Sequence, residues 1–455
     1  MWGTAASAPA ESRRSWGQIA AMVAAAMLPL VLIAPALWNG YPLLQYDTGG
    51  YIARWYEGYL VPSRSTVFGY YLYLGETTRF WLNVKLQALA TLWILLCTLR
   101  AFGLARPLQM VIVCLALSLT TALPFLSSLL LTDIFAGLAV LSFFLIVVHG
   151  ETFSRAERCA LIVFTAFSAG THNATLGVLF GLSLCAWIVR PIMRERISLA
   201  GAVRGSVSVI AGALMLLAAN FMMSGKVAWT PGGYGILFGR ILQDGIVTRY
   251  LDDHCATEKL KLCPYRHSLP DTGDKFLWGG GAFNELGRFN GLGDEMRHIV
   301  INSLIDYPLQ NLVSVVTSTA RQLGMVATGE GVHNDLMHTH RIIERYLPYQ
   351  ADLMRASRQH RGELHIERWN AIHVPVAWLS MLLLAAWLAH ALWRRHSDDL
   401  TILVGTVMLA LLGNAVICGG LSGPHDRYGS RIVWTASFVL LLIVLRRFEG
   451  ASNRS

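Results

Sequence analysis

Ten apolar stretches, each close to the length a helix needs to cross a bilayer, constrain this chain more than any other feature. A hydrocarbon core about 30 Å thick is spanned by about 20 predominantly apolar residues. The stretches lie at about 17–38, 81–101, 107–125, 132–150, 157–171, 173–190, 203–223, 372–392, 399–419 and 431–446. In lipid the backbone must satisfy its own polar groups, so such segments are helices. The expected fold is an all-α polytopic membrane protein of about ten transmembrane helices. Spans five and six are short and form a hairpin around the polar Thr171-His172-Asn173. The long polar interval 224–371, between helices seven and eight, is expected to fold as a separate α-rich outer domain. This divides the chain into 1–223, which includes a first outer loop at 38–80, then 224–371, then 372–455.

Charge orients these spans. Only 14% of residues are charged, against about 25% in ordinary soluble proteins, which excludes a typical cytosolic enzyme. Residues 224–371 carry 16 basic and 16 acidic side chains, so the net +9 resides entirely in the membrane-associated remainder. No basic block of the kind that binds nucleic acid is present. With Arg13 and Arg14 placed in the cytoplasm, Arg100, Arg106, Arg155, Arg158, Arg190, Arg194, Arg196, Arg394, Arg395, Arg446, Arg447 and Arg454 all fall inside. That agrees with the excess of Lys and Arg in cytoplasmic loops. Both termini are then cytoplasmic and the long interval faces outward. The first span, with Ala34-Pro35-Ala36 near its end, is long for a signal peptide and is read as an uncleaved anchor. The 309–328 stretch holds Gln310, Arg321 and Gln322. It is read as an amphipathic helix at the membrane surface, with a true crossing as the alternative.

Five of the seven cysteines fall in the spans, where they serve as small apolar packing. Cys255 and Cys263 lie in the outer interval and are expected to form a disulfide, with zinc binding beside His254 and His267 as the rival. The other histidines of the interval show no metal-binding spacing. Gly232-Gly233 lacks the Lys-Ser/Thr of a phosphate loop. From about 335 the interval reads as amphipathic helix, with Ile342, Ile343, Leu347 and Leu353 on its apolar side, suited to covering a site.

The unusual polar residues gather on the outer face. Asp47 lies in Tyr46-Asp47-Thr48-Gly49-Gly50-Tyr51 of the first outer loop, and Asp133 opens span four after Thr132. His172 and Asn173 form the outer turn between spans five and six, and His425-Asp426-Arg427-Tyr428 precedes span ten. Each has a structural reading too: Gly49-Gly50 as a turn, Asp133 as a helix cap, His172 and Asn173 as a hairpin, Arg427 as a headgroup anchor. Together they offer a carboxylate to accept a proton, an arginine to hold phosphate and a second acid to orient an acceptor or bind a divalent cation.

These residues and this layout resemble the GT-C class of polytopic glycosyltransferases. The likeness rests on Asp47-Thr48-Gly49-Gly50-Tyr51 after span one, the Gly58 to Tyr73 stretch that follows, Thr132-Asp133, and Arg427-Tyr428 opening the last span. It is nearest to the lipid A aminoarabinose and protein O-mannosyl transferase types. It departs from several of these in that Asp47 is not followed by a second acid, and Arg64-Ser65-Thr66 replaces an Arg-Pro-like turn. The resemblance implies an inverting transfer of a sugar from a polyprenyl-phosphate donor to an envelope lipid, polysaccharide or protein, at the periplasmic face of a bacterial inner membrane. It assigns Asp47 as base and the Arg427-Tyr428 pair to the donor phosphate, and the neighbouring His425 is read as joining them. Asp133 would position the acceptor or a cation, and Tyr51, His172 and Asn173 would line the acceptor pocket. No soluble cofactor is implied, and a divalent cation is compatible.

Three other readings stay open, one of them a non-catalytic envelope assembly factor. An O-antigen ligase or polymerase-like transferase would place its essential residues in 224–371, for example Arg321 or His340. A transporter or lipid flippase would carry charges at mid-membrane, where the spans hold almost no ionisable residue; Lys85 lies near the outer end of span two.

Overall fold

The structure is a computed structural model that describes residues 16–452. Arg13, Arg14 and Arg454 lie outside the described residues. Among those described, the secondary structure is helical throughout, apart from one isolated parallel bridge between Leu43 and Leu129.

Every apolar stretch read from the sequence is helical. Trp81–Ala101, Leu199–Ser224, Ile366–Trp393, Asp399–Gly420 and Asp426–Glu449 are long and apolar enough to cross a membrane. Pro107–Thr120, Asp133–Val148 and Asn173–Val189 are apolar but shorter. Pro35 opens a separate short helix, Ala34–Asn39, after Trp16–Leu32, and Pro124 does the same in Leu123–Ser128 after Pro107–Thr120. A proline at the first turn costs no hydrogen bond, so these breaks fall where the sequence tolerates them. The apolar helices mark a membrane-embedded protein.

Asp133–Val148 is the axis of the bundle. Nearly every one of its residues is buried, as expected of a helix that is hydrophobic all round. Its glycine admits a large neighbour: a Cβ on Gly137 would meet the ring of Trp434 at 2.7 Å. The basic turns gather at one end of the bundle and pair with local acids, among them Arg100 with Glu157 and Arg196 with Asp399. Ser154 and Glu157 form a reciprocal capping box there.

The 224–371 interval contributes to two cores. Residues between Phe238 and Tyr307 close around their own apolar centre, including Tyr250, Phe276, Phe283 and Met296. Cys255 and Cys263 are disulfide-bonded within this subdomain. The stretch from Val326 to Ile366 joins the main core instead. Ile342, Ile343 and Leu347 are buried as expected, but Leu353 is exposed and Met354 takes the inward position. This stretch packs over the first loop: Tyr41 donates to Gln350 at 2.7 Å, and Gln359 holds both backbone groups of Leu44.

Candidate active site

A short parallel pairing sets the site. The Leu43 N–H donates to the Ser128 carbonyl, and the Leu130 N–H donates to the Leu43 carbonyl. Thr48 adds a hydrogen bond to the Leu130 carbonyl at 3.1 Å. Four residues after Leu43 comes Asp47, and three after Leu130 comes Asp133, so the pairing brings two acids to one end of the axial helix.

Neither acid caps its helix. Asp47 precedes Thr48–Glu57 and Asp133 is the first residue of Asp133–Val148, yet no side-chain capping bond is made at either start. Both carboxylates turn to Arg427 instead. Arg427 Nη1 donates to Asp47 Oδ2 at 2.6 Å, and its Nε donates to Asp133 Oδ2 at 2.9 Å. Arg64 pairs with the other oxygen of Asp47. Arg431, one turn beyond Arg427 on the last helix, lies 3.9 Å from Asp133 Oδ1 and donates to Asn414 at 2.7 Å and to His172 Nδ1 at 3.3 Å.

The two glycines after Asp47 do more than turn the chain. Both lie inside the helix and are buried. A Cβ on Gly49 would clash with Thr339 at 2.8 Å, and Gly49 N–H donates to the Thr339 hydroxyl at 3.0 Å. Glycine is required here for close approach.

Three guanidiniums against two carboxylates leave this buried array with an excess of one positive charge. Arg427 is 7% exposed and Arg431 is fully buried. Burial pushes the Asp47 carboxyl up, but Arg64 and Arg427 outweigh it and hold the group below its ordinary range. Burial together with Arg431, Arg427 and Arg64 pushes the His172 imidazole well down, so it is neutral and accepts from Arg431. The Arg427 and Arg431 guanidiniums lie 5.6 and 5.5 Å from the Tyr428 ring centre.

Several polar atoms beside the acids lack a hydrogen-bond partner among the described residues: Gln45 Nε2, Thr132 Oγ1 and Asp133 Oδ1. A buried orphan costs about 1–3 kcal/mol, so these atoms have polar valences open to water or to a ligand.

Other residues predicted from the sequence are placed differently. His425 reaches away from the two aspartates. Its Nδ1 is 2.7 Å from Glu330 and its Nε2 is 3.4 Å from Asp274, and these two acids push its pKa up to about 10. Glu330 also accepts from the Arg427 backbone N–H at 2.8 Å. Tyr51 is buried against Phe68, with the Arg54 and Arg64 guanidiniums over its ring. Asn173 is exposed and outside the charged array. Arg321 is exposed and His340 packs against His360, so neither joins it.

The sequence reading missed Arg64 and Arg431 as site residues, and Glu330 as the partner of His425. Arg431 was findable, because four residues after Arg427 on a helix means the same face. Glu330 carries no sequence signal, since only tertiary folding brings it to the last loop.

The donor set does not fit a divalent cation. Arg427 occupies the position between the two carboxylates that a cation would take, and no group of three or more His, Cys, Asp or Glu arranged to hold a metal occurs among the described residues. Comparison with protein-family models, curated proteins and solved structures found no match to this chain.

Proposed function

We propose that this protein is an inverting glycosyltransferase that moves a sugar from a polyprenyl-phosphate donor to an envelope lipid, polysaccharide or protein. In this reading about ten helices span a bacterial inner membrane, the basic turns face the cytoplasm, and the Asp47 end faces the periplasm. One observation carries the proposal. Two acids and an arginine from three distant parts of the chain meet within 2.9 Å, in a buried array with excess positive charge.

Such an array favours an anionic substrate. A donor phosphate offers Arg427 and Arg64 charge-assisted bonds like those they now make to Asp47. Binding is then an exchange, in which phosphate takes the guanidiniums and the Asp47 carboxylate is released. Freed of two cations, the carboxylate gains basicity at the moment an acceptor hydroxyl needs a base. The hydroxyl oxygen attacks the anomeric carbon as its proton passes to Asp47, and the bond to the phosphate oxygen breaks on the opposite face. Arg427 and Arg64 stabilise the negative charge left on the phosphate. Tyr428 fixes the plane of Arg427, and Asp133 keeps Arg427 aimed at the site while its other partner is exchanged.

The reading is tested by comparing a deletion strain carrying the wild-type gene with one carrying Asp47→Asn at matched expression. Mass spectrometry follows envelope glycans and the polyprenyl-phosphate-sugar pool. Loss of one glycan with accumulation of its carrier is expected. Unchanged glycans from a well-expressed variant would remove Asp47 as the base.

A further inference from the structure

The Pro308–Gly324 helix is built inside out. Asn311, Ser314, Ser318, Thr319 and Gln322 are buried against the protein, whereas Leu309, Leu312, Val313 and Val316 are between 51% and 71% exposed. A helix facing water turns its apolar stripe inward. This one turns it outward.

Its polar side is fitted to the bundle. It lies on Ala415–Gly420, at the end of the ninth apolar helix nearest the Asp47 array, where a Cβ on Gly419 would meet the Gln322 Cβ at 2.5 Å. Arg240 of the outer subdomain reaches Ser314 and Ser318. Trp378, on the Ile366–Trp393 helix, donates its indole N–H to the Gly324 carbonyl at 3.1 Å. The neighbouring apolar helices present the same kind of surface outward, including Leu379, Leu382, Leu412 and Leu421.

Both ends of the helix stay on the site side. It enters from Arg288–Asp306 of the outer subdomain through a 103° bend. Just beyond its other end, the Ala327 N–H donates to Asp426 at 2.8 Å, beside Arg427. A segment tied at both ends to one end of the bundle does not cross the membrane.

We propose that Pro308–Gly324 lies immersed in the leaflet on the site side, its apolar face against lipid acyl chains and its polar face on the bundle. This is a lateral helix, deeper than a surface-lying one and distinct from a span. It also holds the site: Gln322 accepts from the His425 N–H at 2.9 Å and donates to the His425 carbonyl at 2.8 Å. The loop that presents Arg427 is thus fastened to a lipid-embedded element.

The test uses the full chain in phospholipid nanodiscs, with the exposed Cys159 and half-buried Cys185 replaced by alanine. Single cysteines at Leu312 and Val316 carry an environment-sensitive fluorophore, with Leu309 as a further position should either variant fail gel filtration. A label at Asp271, in the water-exposed outer subdomain, is the control. Blue-shifted emission that is lost in lipids brominated on their acyl chains, and is insensitive to aqueous iodide, is expected at the helix positions. Asp271 should respond in the opposite way. Iodide quenching at Leu312 and Val316 equal to that at Asp271 would overturn the proposal. So would disulfide cross-linking of Leu312→Cys between two copies in place of lipid contact.

Discussion

Replacing Asp47 by asparagine removes one charge from the centre of the buried array while keeping its shape. The cost falls unevenly on its two partners. The Arg64 side chain is 18% exposed, so water takes over part of what it loses. Arg427 is nearly sealed but keeps Asp133 at 2.9 Å. Removing one partner of a buried ion pair costs about 3–5 kcal/mol, and with Asp133 in place the low end, about 3 kcal/mol, is expected. Arg427→Gln leaves Asp47 with Arg64 and Asp133 with Arg431 only at 3.9 Å, so about 4 kcal/mol is expected. If Asp47 and Arg427 interact directly, the double variant loses less than the sum of the singles by about 2 kcal/mol, within the range for residues in contact. Unfolding free energies of all four proteins, from SDS titration in mixed micelles, measure this coupling. Additivity within about 0.5 kcal/mol would refute the ion-pair account. In the transfer assay, Asp47→Asn should lower turnover by roughly a hundredfold to ten-thousandfold, the share of a positioned general base.

Further outcomes are expected. Because the Asp47 carboxyl is held below its unfolded value of about 3.9, its stabilising contribution is complete above that pH and lost as pH falls through the lower folded value; acid unfolding of Asp47→Asn should lack this component. His425 shows the opposite sign. Its pKa of about 10 in the folded protein means its stabilising contribution is full below about pH 6.5 and fades as pH rises towards 10. Limited proteolysis of the Phe238–Tyr307 subdomain should therefore accelerate over that window, and His425→Gln should abolish the dependence. The disulfide closes a loop of separation 8, so Cys255→Ser should cost about 2.5 kcal/mol by loop entropy and lower protein yield while leaving turnover per folded molecule unchanged. A Cβ on Gly429 would overlap the Met325 carbonyl, so Gly429→Ala should cost about 1–3 kcal/mol and reduce donor binding by shifting the helix that carries Arg427; thermal unfolding and donor titration read the two effects.

The helical architecture was legible because long apolar helices write their length and apolarity directly into the sequence, as Trp81–Ala101 does residue for residue. Helix breaks were less so: Pro35 and Pro124 divided stretches read as continuous, because a proline near a helix start ends one element and opens another. The convergence of Asp47, Asp133 and Arg427 on one end of the bundle followed from sorting polar residues by side. Their pairing did not, since it depends on the bridge between Leu43 and Leu129, two residues that look like ordinary core. The division of 224–371 was equally hidden. Its two halves have similar polarity, and only packing shows that Thr339, Gln350 and Gln359 serve the first loop.

Asp47 and Arg427 are separated by 380 positions along the chain. At a synthesis rate of about 5–20 residues per second, the carboxylate emerges roughly 20–80 s before the arginine that will hold it. During that interval the nascent protein carries Asp47 with Arg64 alone as counter-charge, Asp133 without its arginine, and a Gly49 slot still waiting for Thr339. The array is therefore complete only when the Asp426–Ser452 helix is in place, and a chain stalled or truncated before it lacks both Arg427 and Arg431. Until then the Asp133 carboxylate stands unpaired at the end of the axial helix, a buried charge that only the last segment of the chain can neutralise.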